Sequence, residues 1–267
     1  MQKALTIGMA CYRNPVELFF TLHGLMMYHD LEGVELLVID NANHAECHKV
    51  CRQARVRFEV YTEKIGPQMA KNKVFEMAEG FFVLCIDSHV LLYPGAMAKL
   101  KAWVQDNPED ARNLIQGPRL KSHHQKVVYD WKDKWRGGMW GTEGATCSVD
   151  DLPVEPFEVW AMGTGIFGTR KDSWLKFPAD NQGFGGAECW INEKYRKAGR
   201  KTLMLPWLIW LHNFHKEYAR FVDGRVPNYI RQFKQLDMDI GPVVEHFGED
   251  IINAAHKTIF GENIVRK

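Results

Sequence analysis

Over roughly the first hundred residues, short apolar runs alternate with stretches of helical period. Ala4 to Met9 is an apolar run that stops at Tyr12-Arg13-Asn14-Pro15. Pro15 sits where a helix can begin, and Val16 to Tyr28 carries apolar residues at helical spacing. Val34 to Ile39 is a second β-branched run, ending at Asp40-Asn41. Cys47 to Arg55 reads as a helix, Val56 to Tyr61 as a strand, and Gln68 to Ala78 as a helix stopped by Gly80. Phe81 to Ile86 is continuously apolar, as a strand covered on both faces should be, and it ends at Asp87-Ser88-His89. Pro94-Gly95 opens a helix to about Val104. This β-α alternation predicts an α/β fold, Rossmann-like, with a mostly parallel central sheet and helices on both faces. Ligands of such sheets bind beyond the carboxyl ends of the strands, where Cys11-Tyr12-Arg13, Asp40-Asn41 and Asp87-Ser88-His89 fall.

The period then weakens. Gln116 to Glu158, rich in Gly, Trp, Lys and His, reads as partly irregular with a hairpin around Val127 to Trp131. Trp160 to Thr169 is strand-like, Ala187 to Ala198 helical and closed by Gly199, and Thr202 to Leu205 a strand. The expected division is one domain over 1–235, with a helical tail over 236–267 packed on it.

Charge narrows the partners. The 267 residues hold 34 Lys+Arg and 33 Asp+Glu, a net charge of +1, which excludes a bulk electrostatic partner for nucleic acid or membrane. The apolar runs are too short for a membrane span, and the start reads as a first strand rather than a signal peptide. The six cysteines are scattered without a CxxC pair, so a reducing, cytoplasmic setting is expected.

Asp87 and His89 lie two residues apart after a buried strand, so both side chains project to one side and can share a cation. A carboxylate with an imidazole suits Mn²⁺ or Zn²⁺ better than Mg²⁺, although a polar turn accounts for them equally well. His212, in Leu211-His212-Asn213-Phe214-His215, is a third candidate ligand, or else a core histidine. Other clusters are weaker. His44, Cys47, His48 and Cys51 share a helix face but match no common zinc spacing. Lys121 to Trp140 interleaves basic and aromatic residues, as nucleic-acid grooves and acceptor loops both do. Arg220 to Phe233 reads as a lid or a solvated helix. Gly183-Phe184-Gly185-Gly186 lacks the Lys-Ser/Thr of a phosphate loop.

Taken in order, several segments resemble the nucleotide-sugar glycosyltransferases of the GT-A fold, similar in layout to family 2 and in detail to the polypeptide N-acetylgalactosaminyltransferases. They are Thr6 to Arg13, Val38 to Asn41, Lys64 to Asn72, Leu84 to His89, Ala161 to Phe167, Gly183 to Glu188 and Leu205 to Phe214. Leu84 to His89 resembles the strand ending in Asp-x-His. The resemblance implies a divalent cation, Mn²⁺ or Mg²⁺, held by Asp87, His89 and His212 against a UDP-sugar. It implies Ala10, Tyr12, Asp40, Lys71 and Asp87 along the nucleotide. Gly165, Gly186, Glu188 and Trp190 would then face the donor sugar or acceptor, with Glu188 as the candidate catalytic base. Glu188 falls on the second position of the family 2 acidic pair, with Ala187 in place of the first acid, so retention and inversion both stay open. The implied activity is transfer of a sugar to a hydroxyl of a glycan, a protein or a hydroxylated DNA base. A nucleotide-sugar binder without turnover and a metal-dependent nucleotidyltransferase are the rival readings.

Overall fold

The structure, a computed structural model, describes residues 3–121, 125–213 and 224–262. Phe214, His215 and Arg220, singled out above, and Ser122 to His124 within the basic-aromatic stretch lie outside the described residues. The first half runs β1 (Leu5–Cys11), α1 (Pro15–Tyr28), β2 (Val34–Asp40), α2 (Ala45–Gln53), β3 (Arg57–Val60), α3 (Pro67–Met77), β4 (Phe82–Asp87), β5 (Val90–Leu92) and α4 (Ala96–Asp106). Then follow β6 (Leu114–Gln116), β7 (Arg119–Leu120), β8 (Lys126–Arg136), β9 (Met139–Ser148), β10 (Phe157–Glu158), β11 (Ile166–Arg170) and α5 (Glu188–Lys197). The chain continues with β12 (Thr202–Met204), β13 (Trp210–His212), α6 (Arg225–Gln235), α7 (Gly241–Phe247) and α8 (Glu249–Phe260).

Eight strands form the larger sheet, in the order β10-β12-β6-β11-β4-β1-β2-β3. β3, β2, β1 and β4 run parallel to one another in that order, and β6 runs parallel to β12. β11 is inserted antiparallel between β4 and β6. Both faces are covered. On one, Leu18, Leu22 and Leu25 of α1 and Met97 and Leu100 of α4 pack on Leu5, Ile7 and Met9 of β1. On the other, Val74 of α3, Trp190 of α5 and Phe233 of α6 share a core with Leu37, Ile39, Val83 and Cys85. Gly8 lets α3 lie against β1, since a Cβ there would come within 2.0 Å of Val74 Cγ1.

Two expectations need correction. The stretch 116–158 is largely ordered strand: β8 and β9 form a long hairpin in a second sheet, β5-β13-β7-β8-β9. Its turn lies beyond Arg136, well past Val127 to Trp131. Register shifts between Val128 and Asp130, Asp130 and Trp131, and Lys132 and Trp135 break the two-residue alternation that would have marked it. The strand read over Trp160 to Thr169 is confined to β11, because Asp130 Oδ1 accepts the amides of Trp160 and Ala161 and holds that segment outside the ladder. The C-terminal segment forms α6 to α8, whose Phe233, Val243, Val244 and Ile252 enter the core around Trp190. No helix among the described residues is long and apolar enough to cross a membrane.

Candidate active site

Asp87 ends β4 and His89 follows it across a tight turn. Two residues of α1 and its approach fix that turn. Thr21 Oγ1 donates to the Ser88 carbonyl and accepts the Val90 amide, both at 3.1 Å. Asn14 Nδ2 donates to Ser88 Oγ at 2.8 Å and lies 3.5 Å from His89 Nδ1. His212 arrives on β13, which pairs antiparallel with β5 so that His212 sits opposite Val90. The Asn213 amide donates to the His89 carbonyl at 2.9 Å, closing the ladder beside the turn. The two imidazole rings come to 4.5 Å between centres. One ligand atom from each of Asp87, His89 and His212 falls within 4.8 Å of the others.

Behind the triad lies Lys71 of α3, only 3% exposed. Its ammonium contacts Asp87 Oδ1 at 2.9 Å and donates to the Thr164 carbonyl at 2.7 Å. His212 Nε2 lies 3.5 Å from the other oxygen, Oδ2. Burial pulls the lysine pKa down, but the Asp87 carboxylate more than offsets this and holds it above its ordinary value. Burial pushes the Asp87 carboxyl up, yet Lys71, the His212 hydrogen bond and His89 hold it well below the usual carboxylate range. Burial is also the largest influence on His89, lowering its pKa and favouring the neutral imidazole that metals bind. A charged carboxylate and two converging imidazoles, one of them favoured neutral, fit a borderline divalent cation. Among the described residues this is the group of three or more potential ligands that converges. Cys47 and Cys51 are buried in the core instead of joining His44 and His48 around an ion.

Glu188 opens α5 at the edge of the same site and is partly exposed. Burial raises its carboxyl pKa, and it feels the opposing fields of Lys71 and Asp87. The glycine loop before it is pinned by a buried polar network. Gln68 Nε2 donates to the Gly185 carbonyl at 2.7 Å, and Asn228 Nδ2 donates to the Gln182 and Gly185 carbonyls at 3.0 Å. Gly186 adopts φ +82°, and a Cβ there would meet Gln232 Oε1 at 3.0 Å, so its glycine identity answers to packing and backbone. Gly165 is held by packing too: a Cβ would sit 2.5 Å from Trp210 Cη2, while its carbonyl accepts the Asp87 amide at 2.9 Å.

Ala10 pairs with Asp87 across the β1–β4 ladder, and the half-buried Tyr12 follows just beyond β1. Two candidate residues have other work. Asp40 is 1% exposed. Its oxygens accept the Ala42 and His44 amides at 2.9 and 2.7 Å, and His48 Nε2 lies 2.7 Å from Oδ2. Its carboxylate therefore holds the β2–α2 turn and is not presented to a nucleotide base. Trp190 is fully buried, and its indole N–H donates to the Gln232 carbonyl at 2.9 Å. It belongs to the core under α6, with no face open to a sugar. The aromatics of the basic-aromatic stretch are likewise engaged. Trp135 packs against Tyr229, His246 and Phe247, and Trp140 Nε1 donates to Asp133 at 2.6 Å, which removes these rings as stacking platforms. Within the expected lid, Tyr229 is 2% exposed and its hydroxyl accepts the Trp140 amide, so α6 is a packed helix. Asn14, Thr21, Thr164 and Gln68 went unnoticed in the sequence, where single polar residues in helices and turns carry no signal of distant partners.

An α/β sheet carries a Lys-backed Asp-x-His turn at its carboxyl edge, the arrangement that the resemblance to GT-A glycosyltransferases implies. The glycosyl transferase family 2 profile matches residues 6–147, more than half of the chain, and the chain belongs to that family. No curated protein matches it. Among solved structures, it is similar to GalNAc-T7 with UDP, GalNAc and Mn²⁺ (TM-score 0.69, 15% identity, 87% of this chain and 48% of that one). It is also similar to Staphylococcus aureus TarS, residues 1–349, in complex with UDP-GlcNAc (TM-score 0.61, 13% identity, 96% and 73%). A third is the mannosyltransferase PcManGT of Pyrobaculum calidifontis with GDP-Man and Mn²⁺ (TM-score 0.56, 12% identity, 98% and 75%). The chain thus spans about half the length of GalNAc-T7. These identities speak to the fold alone.

Proposed function

We propose that this glycosyltransferase moves a sugar from a UDP-sugar to an acceptor hydroxyl and depends on a divalent cation, Mn²⁺ in preference to Mg²⁺. The observation that carries the reading is the convergence of Asp87, His89 and His212 within 4.8 Å at the carboxyl edge of the sheet. Support comes from GalNAc-T7, described with UDP and Mn²⁺, and from TarS, described with UDP-GlcNAc. When bound, the cation supplies charge neutralisation for the departing diphosphate. The chain's own residues do the rest. Lys71 keeps Asp87 ionised and oriented, Ala10 and Tyr12 flank the nucleotide, and Gly165 fixes the strand end. Glu188 takes the acceptor proton, a role that corresponds to inversion. Residues 1–235 form the catalytic unit with 236–267 packed on it, and the free cysteines agree with a cytosolic setting. Glycan, protein and hydroxylated DNA base remain the acceptor classes to compare.

Incubation with a panel of UDP- and GDP-sugars and Mn²⁺ should release nucleoside diphosphate from one UDP-sugar, and EDTA should stop it. The absence of both release and calorimetric binding of UDP with Mn²⁺ would sink the proposal. Once an acceptor is found, Glu188→Gln should cut transfer by about 10²- to 10⁴-fold while UDP and Mn²⁺ affinities stay unchanged. The base must be ionised, so at saturating Mn²⁺ the rate should rise with pH through a value shifted above that of an ordinary glutamate. The variant should lack that limb. An unaltered pH profile in the variant would exclude Glu188 as the base.

A further inference from the structure

We propose that Cys11 and Cys47 are a redox-sensitive thiol pair, and that hydrogen peroxide joins them in a disulfide that weakens the cation site. The second clause rests on the metal reading above; the first does not. Cys11 is the last residue of β1 and Cys47 lies in the first turn of α2. Their sulfurs are 3.6 Å apart, and both side chains are at most 1% exposed. A disulfide of about 2.05 Å needs them to close by roughly 1.5 Å. Cys47 is the attacking sulfur, because it lies in the amino-terminal turn of α2, where the helix end favours a thiolate. Its thiolate takes one peroxide oxygen as a sulfenic acid and the other leaves as water. The Cys11 sulfur then displaces the sulfenic oxygen as a second water, forming the S–S bond. The two thiols supply both electrons and both protons, and a dithiol reductant reverses the change.

Asn14 links this pair to the cation ligands. Cys11 Sγ donates to Asn14 Oδ1 at 3.1 Å, an oxygen that also accepts the Tyr12 amide at 3.2 Å. The same side chain holds Ser88 Oγ at 2.8 Å and approaches His89 Nδ1 to 3.5 Å. A disulfide sulfur has no hydrogen to give, so oxidation removes one of the donors that orient Asn14, and with it the support behind His89.

The test treats the intact protein with hydrogen peroxide, blocks remaining thiols and digests with trypsin. Cleavage after Arg13 and Lys49 places Cys11, Cys47 and Cys51 on three separate peptides. The expected product is the peptide ending at Arg13 linked to the one ending at Lys49, lost on reduction. Calorimetry with Mn²⁺ alone should show affinity falling about tenfold on oxidation and returning with dithiothreitol. Cys47→Ala should form no link and keep its affinity through peroxide treatment. Absence of the Cys11–Cys47 peptide, or a Cys47–Cys51 link in its place, overturns the pairing. A formed link with unchanged Mn²⁺ affinity overturns the coupling. Reduced protein that binds no Mn²⁺ overturns the metal reading, while the peptide map still judges the pair.

Discussion

Asp87→Asn should abolish metal-dependent donor cleavage, with a loss of about a thousandfold in nucleoside diphosphate release. The substitution keeps the side chain's shape and removes its charge. One oxygen then no longer answers Lys71 at 2.9 Å, and the other no longer offers an anionic ligand beside His212. His212→Ala is the cleaner companion, because it leaves the Lys71–Asp87 pair intact. It should weaken Mn²⁺ binding by about 10- to 100-fold in calorimetry, with far less effect on folding. Activity in Asp87→Asn that equals the wild type and survives EDTA would remove the cation from the reaction altogether.

Lys71→Met should cost about 3–5 kcal/mol of stability at neutral pH, read as a lower midpoint in chemical denaturation. The substitution fills the same space but leaves Asp87, 22% exposed, without its ammonium partner. The pH dependence carries the signature. Asp87 is depressed below the usual carboxylate range in the folded protein, so its contribution is complete above about pH 4 and is lost as pH falls through the folded value. Lys71 is raised, so its share is complete below about pH 10 and disappears as pH climbs through its folded value. The gap between wild type and variant should therefore be widest between these limits and narrow at both ends. A gap that is constant with pH would mean that packing, rather than the ion pair, explains the loss.

The parts of this site that could be read in the sequence sit at strand ends. Phe82 to Ile86 is buried throughout, so the polar cluster that begins at Asp87 had to emerge at an edge of the sheet. In the sequence His212 reads equally as a third ligand or a core histidine, since its approach to His89 depends on β13 pairing with β5, a contact between distant segments. The length and turn of the β8–β9 hairpin stayed hidden because its bulges destroy the alternation on which such readings depend. Trp190 was misplaced by following a motif rather than a helical face. Cys189, Trp190 and Ile191 are all buried, so the first turn of α5 turns inward immediately after Glu188. Asp40 misled for a similar reason: an acid after a strand serves a base or the next helix equally well, and here the helix has it.

The triad also spans two sheets. Asp87 ends a strand of the larger one, while His212 belongs to the smaller. An ion held by both would tie the two sheets together, and its binding energy would then be shared with their assembly. At a free concentration a hundred times the dissociation constant, that linkage adds about 2.7 kcal/mol to folding. If the proposed metal dependence holds, cation supply governs how cohesively this enzyme holds together as well as how fast it turns over.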